Sequence, residues 1–188
     1  YVAVDSPSGQ IFTSYDDGVS WEQSVDGDNN RALWEITCSG SVFVAVGAVS
    51  YLDPPRDVCL VALSVDGSEW SFDTLDVTGE LFDVTWTGSQ LVAVGGLTLP
   101  VAGTAIVTSP DGLTWTQRPV GTIDPLFAVW SVDGTIIAVG FDGTILTSED
   151  GIEWIERNSG VSNALYGITS SDERIVVVGT NGTILSSP

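Results

Sequence analysis

The sequence predicts an all-β protein, a β-propeller of four-stranded antiparallel blades with five blade positions, the first and last incomplete. Three observations carry this expectation: aligned serines spaced by 50, 45, 39 and 39 residues, strand-like runs joined by short turns, and no apolar pattern of helical period. A chain of 188 residues that is 43% apolar can bury a substantial core, so residues 1–188 are expected to form a propeller domain or part of one. A solenoid of stacked hairpins is the competing all-β architecture. The propeller is preferred because both faces of each strand carry apolar or aromatic residues, as sheets sandwiched between neighbouring sheets require.

The repeating unit has four strands, A to D. The first unit (about 1–31) opens with "YVAVD" as strand B, and its C strand runs to Ser14 and the turn "SYDDGVSW", which leads into strand D. The second (32–80) begins with "LWEITCSGSVFVAVG", ending at Gly47: two runs rich in Val, Ile and aromatics about a short turn, the pattern of an A–B hairpin. "LFDVTWTGSQLVAVG" opens the third unit (81–125), "LFAVWSVDGTIIAVG" the fourth (126–163) and "LYGITSSDERIVVVG" the fifth (164–188). After each glycine, a C strand such as "TILTS" leads to an Asp-Gly turn and a D strand headed by tryptophan, as in "SVDGSEW", "SPDGLTW" and "SEDGIEW". Asp-Gly provides the positive-φ residue and the short side-chain acceptor that such turns need. The fifth unit reaches "TILSSP", in register with the residues that precede Asp111 in the third.

This "S-x-D-G-x-x-W" turn, preceded by "GTI" and accompanied by "LYGI" and "VVVG", resembles the Asp-box or BNR-type repeats of sialidases, xyloglucanases and photosystem II assembly factors. It is most similar to the tandem repeats of secreted bacterial propellers, and the resemblance covers essentially the whole chain. It implies that the box serine and aspartate bond backbone groups of the C–D turn while the tryptophan packs between blades. Those roles fall on Ser14, Asp16 and Trp21; Ser64, Asp66 and Trp70; Ser109, Asp111 and Trp115; and Ser148, Asp150 and Trp154. Only "SYDDGVSW" has the family's usual "S-x-D-x-G-x-[ST]-W" spacing; the other three lack one residue before the glycine, so their turns are expected to be tighter by one residue. Physical chemistry gives the same reading: a short acceptor fixes a turn, and an indole seals a core at a constant position. A catalytic carboxylate would not need to recur in every blade, so no catalytic residue is assigned.

Charge narrows the partners. The chain has 25 acidic residues against five arginines, with no lysine or histidine, for a formal charge of −20. Such a surface repels phosphate backbones and anionic lipid and attracts cations, so neither nucleic-acid binding nor membrane docking is expected. The acidic residues are scattered among turns as a solubilising surface, and no run approaches the length of a membrane span. The chain begins at Tyr1 with no signal peptide and reads as a processed or excised piece of something longer. Cys38 and Cys59 lie at opposite ends of one blade, so two free, buried thiols are expected rather than a disulfide.

Binding residues are sought on the face of the B–C and D–A loops. Gly47 to Ser64 spans 17 residues and Gly95 to Ser109 spans 14, where the later units take eight. The longer loops carry Tyr51, Asp53, Arg56 and Asp57, and apolar Leu97, Leu99 and Val101; ligand binding and packing against a neighbouring subunit are both open there. Asp26, Asp28 and Asn30 place oxygens at alternate positions like the start of a calcium loop, but the glycine and bidentate glutamate of such a loop are missing. A polar interblade loop is the first reading there and a weak Ca²⁺ site the second; no other cofactor is expected. Glu35 and Asp83 hold equivalent inner-strand positions, matched by Ala128 and Gly167, and are expected as solvated channel carboxylates. Asn181 heads a sequon in a turn, with glycosylation the secondary reading.

A sialidase would need an arginine cluster and a Tyr–Glu pair that the repeat does not place, and without histidine the usual base for a Ser or Cys nucleophile is missing. Asp53, Asp57 and Asp124 are the candidates for a hydrolase carboxylate pair, none with a specific signal. The first and last units both hold strands B and C, so they cannot merge into one blade. A longer propeller, an imperfect five-bladed ring, and completion of strand edges by another copy, in an oligomer or filament, are all open. The expected function is that of a non-enzymatic, secreted or surface-exposed interaction scaffold, with a protein partner or self-association by strand addition; a carbohydrate-binding or glycoside-hydrolysing propeller is the alternative.

Overall fold

The computed structural model describes residues 1–52, 55–97, 103–171 and 174–187. They form five antiparallel sheets in chain order. The first has three strands, β1 (Val2–Val4), β2 (Ile11–Thr13) and β3 (Glu22–Val25). Three four-stranded sheets follow. The second sheet is β4 (Arg31–Cys38), β5 (Phe43–Leu52), β6 (Pro55–Ser64) and β7 (Ser71–Thr78). The third is β8 (Glu80–Trp86), β9 (Leu91–Leu97), β10 (Gly103–Ser109) and β11 (Thr116–Gln117), and the fourth is β12 (Leu126–Val132), β13 (Thr135–Gly140), β14 (Ile145–Ser148) and β15 (Ile155–Arg157). A three-stranded fifth sheet holds β16 (Leu165–Ser170), β17 (Ile175–Gly179) and β18 (Ile184–Ser187). The helical residues are two 3-10 turns, Phe141–Gly143 and Thr180–Gly182.

Each sheet is a meander in which sequence neighbours pair, so short turns suffice and no crossover is needed. Consecutive sheets pack face to face, and the inner strands β4, β8, β12 and β16 succeed one another, with β1 packed against β4. Four cores result, one between each pair of neighbours. Side-chain alternation along the second strand of each four-stranded sheet feeds two cores at once: Val44 and Val46 point to the third sheet, Ala45 to the first. Val92 and Val94 against Ala93 repeat the arrangement one sheet on. Leu33, Leu81, Leu126 and Leu165 head the inner strands and are fully buried, each stabilising the fold by roughly 1.5–3 kcal/mol.

Two expectations are corrected here. Residues 48–52 and 55–58, read as a loop, continue the β5–β6 ladder, with Tyr51 opposite Arg56, because Val49 and Val58 extend the alternating pattern. The two thiols are both free, but only Cys59 is buried; Cys38, at the end of β4, is exposed. Asp53, Leu99 and Val101 lie outside the described residues.

Candidate interaction site on the inner strands

The four inner strands β4, β8, β12 and β16 carry the same irregularity. The register shifts between Leu33 and Glu35, Leu81 and Asp83, Leu126 and Ala128, and Leu165 and Gly167. The extra residue in each bulge is aromatic: Trp34, Phe82, Phe127 and Tyr166. A bulge bends its strand and re-aims one side chain, and here four rings form a continuous arc. Their centroids lie 6.1 Å apart for Trp34–Phe82, 5.7 Å for Phe82–Phe127 and 4.8 Å for Phe127–Tyr166, within the range of favourable aromatic pairs. Trp34 is 42% and Tyr166 55% exposed, with the two phenylalanines half-buried between them.

The repeated glycine at the end of each A–B segment explains why the bulge is possible. A methyl group on Gly47 would lie 1.9 Å from the Ala32 carbonyl oxygen, and one on Gly95 would lie 1.8 Å from that of Glu80. Only a residue without Cβ lets the bulged strand approach so closely. Sequence reasoning passed over the arc, although its signal was present: the second place of all four aligned segments is aromatic, in "LW", "LF", "LF" and "LY".

Carboxylates flank the rings. Trp34 Nε1 donates to Glu80 Oε2 at 3.0 Å. Burial raises the Glu80 carboxyl above its ordinary value, the charge of Asp57 adds to that, and the tryptophan bond opposes it. Glu35 is exposed and accepts from its own neighbour, the Ile36 N–H, at 3.1 Å. Asp83 departs from the expectation of a solvated channel carboxylate. It is half-buried between the third and fourth sheets, accepting from Val84 N at 2.7 Å and from Val129 N at 2.8 Å. Desolvation pushes it up to about 7 against the pull of those two hydrogen bonds, with a smaller push from Glu35.

The four serine–aspartate turns lie elsewhere, each before the last strand of its sheet: between β2 and β3 in the first, and between the third and fourth strands in the next three. In the later three, the serine Oγ accepts from the glycine N–H three residues on, at 2.8 Å for Gly67, Gly112 and Gly151. In the first turn the same bond reaches Gly18, four residues on from Ser14, at 2.9 Å. Its extra residue, Asp17, takes φ +59°. The aspartates close the turns. Hydrogen bonds from Ser20 hold Asp16 at about 2, those from the Ser68 and Glu69 N–H groups hold Asp66 at about 2, and Asp111 and Asp150 are lowered by equivalent backbone donors. Each tryptophan Nε1 donates back to the turn glycine's carbonyl, at 3.2, 3.1, 2.8 and 3.2 Å for Trp21, Trp70, Trp115 and Trp154. Trp70, Trp115 and Trp154 are half-buried in successive intersheet cores, whereas Trp21, in the turn of the first described sheet, is 45% exposed.

The remaining candidates are dispersed. The Arg56 guanidinium stands 5.2 Å over the Tyr51 ring, and Ser50 Oγ donates to Asp57 at 2.6 Å. Leu97 ends β9, half-buried. Asp26, Asp28 and Asn30 form an exposed turn before β4: Asp28 accepts from the Asn30 N–H at 3.0 Å, and the Asp26 carbonyl accepts from Arg31 at 3.0 Å. Among the described residues, no three acidic or cysteine side chains gather as a metal-binding group. Asn181 is exposed at φ +55°, and the sequon's Thr183 Oγ1 accepts from Asn163 Nδ2 at 2.6 Å. Asp124 accepts from Thr122 at 3.2 Å and Thr144 at 3.3 Å.

No family model matches the chain, and no curated protein does. Among solved structures, YCF48 from Cyanidioschyzon merolae is similar over 97% of this chain and 64% of its own length, with 16% identity and a TM-score of 0.66. A YCF48 bound to D1 peptide is similar over 96% of this chain and 71% of its own, with 15% identity and a TM-score of 0.52. At such identity the likeness concerns the fold, which is of the β-propeller type.

Proposed function

We propose that the chain is a non-enzymatic interaction scaffold whose inner-strand aromatic arc grips an extended peptide segment of a protein partner. The observation that carries this reading is the arc itself. Four rings from four successive sheets are held in one row by four bulges, and the rings at its two ends are largely exposed. Exposed aromatics on a rigid scaffold offer large contact area at small entropic cost. Glu35 and Glu80 beside the arc, on a chain of formal charge −20, favour a partner segment with basic as well as apolar residues. The YCF48 of similar fold has been solved with a peptide bound, which suits the same reading.

The hydrolase reading draws less support. Asp83 has both oxygens engaged by backbone N–H groups, Asp57 is tied to Ser50, and Asp124 to two threonines. Aromatic faces also stack on sugar rings, so carbohydrate binding at the arc is the second reading. Screening the chain against a peptide array and a glycan array tests both. Peptide ligands are expected to lose at least about tenfold in affinity on Trp34→Ala and on Tyr166→Ala. Ligands indifferent to both substitutions would sink the arc, and exclusively glycan ligands would favour the alternative.

A further inference from the structure

Two intersheet seams are clipped by a side chain at the turn end of the strands. Between the first and second sheets, Thr13 Oγ1 donates to the Gly67 carbonyl. Between the third and fourth, Gln90 Nε2 donates to the Asp150 carbonyl at 2.6 Å. The seam between the second and third sheets has apolar residues at both clip positions. Leu63 stands in Thr13's place, directly before the turn serine, and Val42 in Gln90's, directly before the second strand of its sheet. The A–B turns are otherwise alike, the Ser39 N–H donating to the Val42 carbonyl at 3.0 Å and the Thr87 N–H to that of Gln90 at 2.9 Å. Neither Val42 nor Leu63 has a side-chain N–H or O–H, so the Asp111 carbonyl, counterpart of Asp150's, receives no clip from them.

A groove of about 410 Å³ opens at this seam, with Val42, Leu63, Val65, Trp70 and Leu113 as its apolar lining and Glu69 and Asp111 as its carboxylates. Val65 is 76% and Leu113 71% exposed. Asp111 Oδ1 accepts from the Thr114 and Leu113 N–H groups at 3.0 and 2.9 Å, which holds the carboxyl below its ordinary value and keeps it ionised at neutral pH. We propose that this groove binds an arginine side chain of a partner protein together with a neighbouring apolar residue. The third–fourth seam specifies the occupant: there the same place is filled by N–H donors on an apolar stem, those of Gln90. The Asp111 carbonyl and the two carboxylates are acceptors, and a guanidinium is all donors. Its stem suits the apolar lining, and its charge is favoured over a neutral amide by Glu69 and Asp111. The neighbouring apolar residue covers Val65 and Leu113. Cys38, Phe43 and Ser64 pair in register at this end of the second sheet, and Leu33, Gly47 and Leu60 at the arc end. The site therefore shares no residue with the aromatic arc and lies on the opposite face.

The peptide acetyl-Leu-Arg-Leu-amide serves as the probe, titrated against the chain and followed by backbone amide and indole N–H resonances. Saturable binding is expected, with the largest shifts at Glu69, Trp70 and Leu113. The same peptide with citrulline, which keeps the shape and loses the charge, should bind at least about tenfold more weakly. Glu69→Gln, a change at an exposed position, should weaken binding roughly threefold. Val42→Gln supplies the clip that Gln90 makes one seam on and should weaken it at least about tenfold. Trp34→Ala should leave binding unaltered. The citrulline peptide needs no protein variant, so the test holds even where a substitution perturbs folding. Equal affinity of the two peptides, no saturation at millimolar concentration, undiminished binding in a folded Val42→Gln chain, or shifts confined to the inner strands with loss of binding in Trp34→Ala would each overturn the proposal. The last outcome would place the peptide on the arc and leave the arc reading standing.

Discussion

Asp83 Oδ2 accepts a hydrogen bond of 2.8 Å from the backbone N–H of Val129, joining the inner strands of two neighbouring sheets. The inner strand is a sheet edge, and its outward N–H groups have no ladder partner. Asp83 satisfies one of them across a seam and a second, that of Val84, within its own strand.

That arrangement makes stability depend on pH above about 4. The Asp83 carboxyl stands at about 7 in the folded chain against its ordinary value of 3.8, so the folded state binds the proton more tightly than the unfolded one. Stability from protonated Asp83 is complete below the unfolded value and is lost as pH rises through 7, by about 4 kcal/mol at most. The thermal midpoint is therefore expected to fall between about pH 4 and pH 7 and to level off above it. Asp83→Asn keeps a carbonyl acceptor for Val129 without the charge and should flatten that fall; an identical slope in the variant would refute the assignment. The turn aspartates, whose carboxyls are lowered, act in the opposite sense, losing their contribution only as pH drops below about 4.

Gly112 and Gly160 separate backbone strain from crowding. Both have positive φ, +80° and +74°, but a methyl on Gly112 would sit 2.6 Å from Leu63, whereas nothing lies within 4 Å at Gly160. Gly160→Ala is expected to cost about 1–2 kcal/mol from the left-handed conformation alone. Gly112→Ala should cost at least about 1 kcal/mol more, from overpacking at the seam. Urea denaturation midpoints of the two variants provide the comparison.

The tryptophans should be energetically unequal despite their identical turns. Trp115→Ala opens the core of the second and third sheets and is expected to cost roughly 2–4 kcal/mol. Trp21, 45% exposed, should cost under about 1 kcal/mol when truncated. Comparable losses at the two positions would mean that the indole acts through its turn bond rather than through the seam.

Thiol labelling reads the second sheet's integrity. Burial, with the charge of Glu80 adding to it, pushes the Cys59 thiol up to about 12, so it carries negligible thiolate at neutral pH. Cys38 is exposed at the end of β4. A disulfide reagent at neutral pH should modify one thiol quickly and the second only on unfolding.

The strands were legible in the sequence because period-2 alternation and Asp-Gly turns are local signals, and the repeat confirmed each against its copies. The ladder around Tyr51 and Arg56 was not, since Asp53, Pro54 and Pro55 gave that segment the composition of a loop while pairing carried the strands as far as Leu52 and Pro55. Glu35 and Asp83 illustrate the limit at the site. Their equivalence could be read from the alignment, but whether a carboxylate faces water or a seam depends on the neighbouring strand, here through Val129. Trp34, Phe82, Phe127 and Tyr166 were visible as a column of aromatics. Their service as an arc depends on the bulges, which no single segment announces.

The turns of the second, third and fourth sheets press their glycine and indole into the sheet before, against Thr13, Leu63 and Thr108, the residues ahead of the preceding turn serines. The joint is therefore polar, with plug and socket on opposite faces of the second and third sheets. Whole modules can be duplicated, deleted or shuffled in tandem without redesigning a seam, whereas half a module cannot. Drift along such a gene is consequently expected to proceed by whole-unit steps, with the socket residue and the following unit's turn glycine changing together.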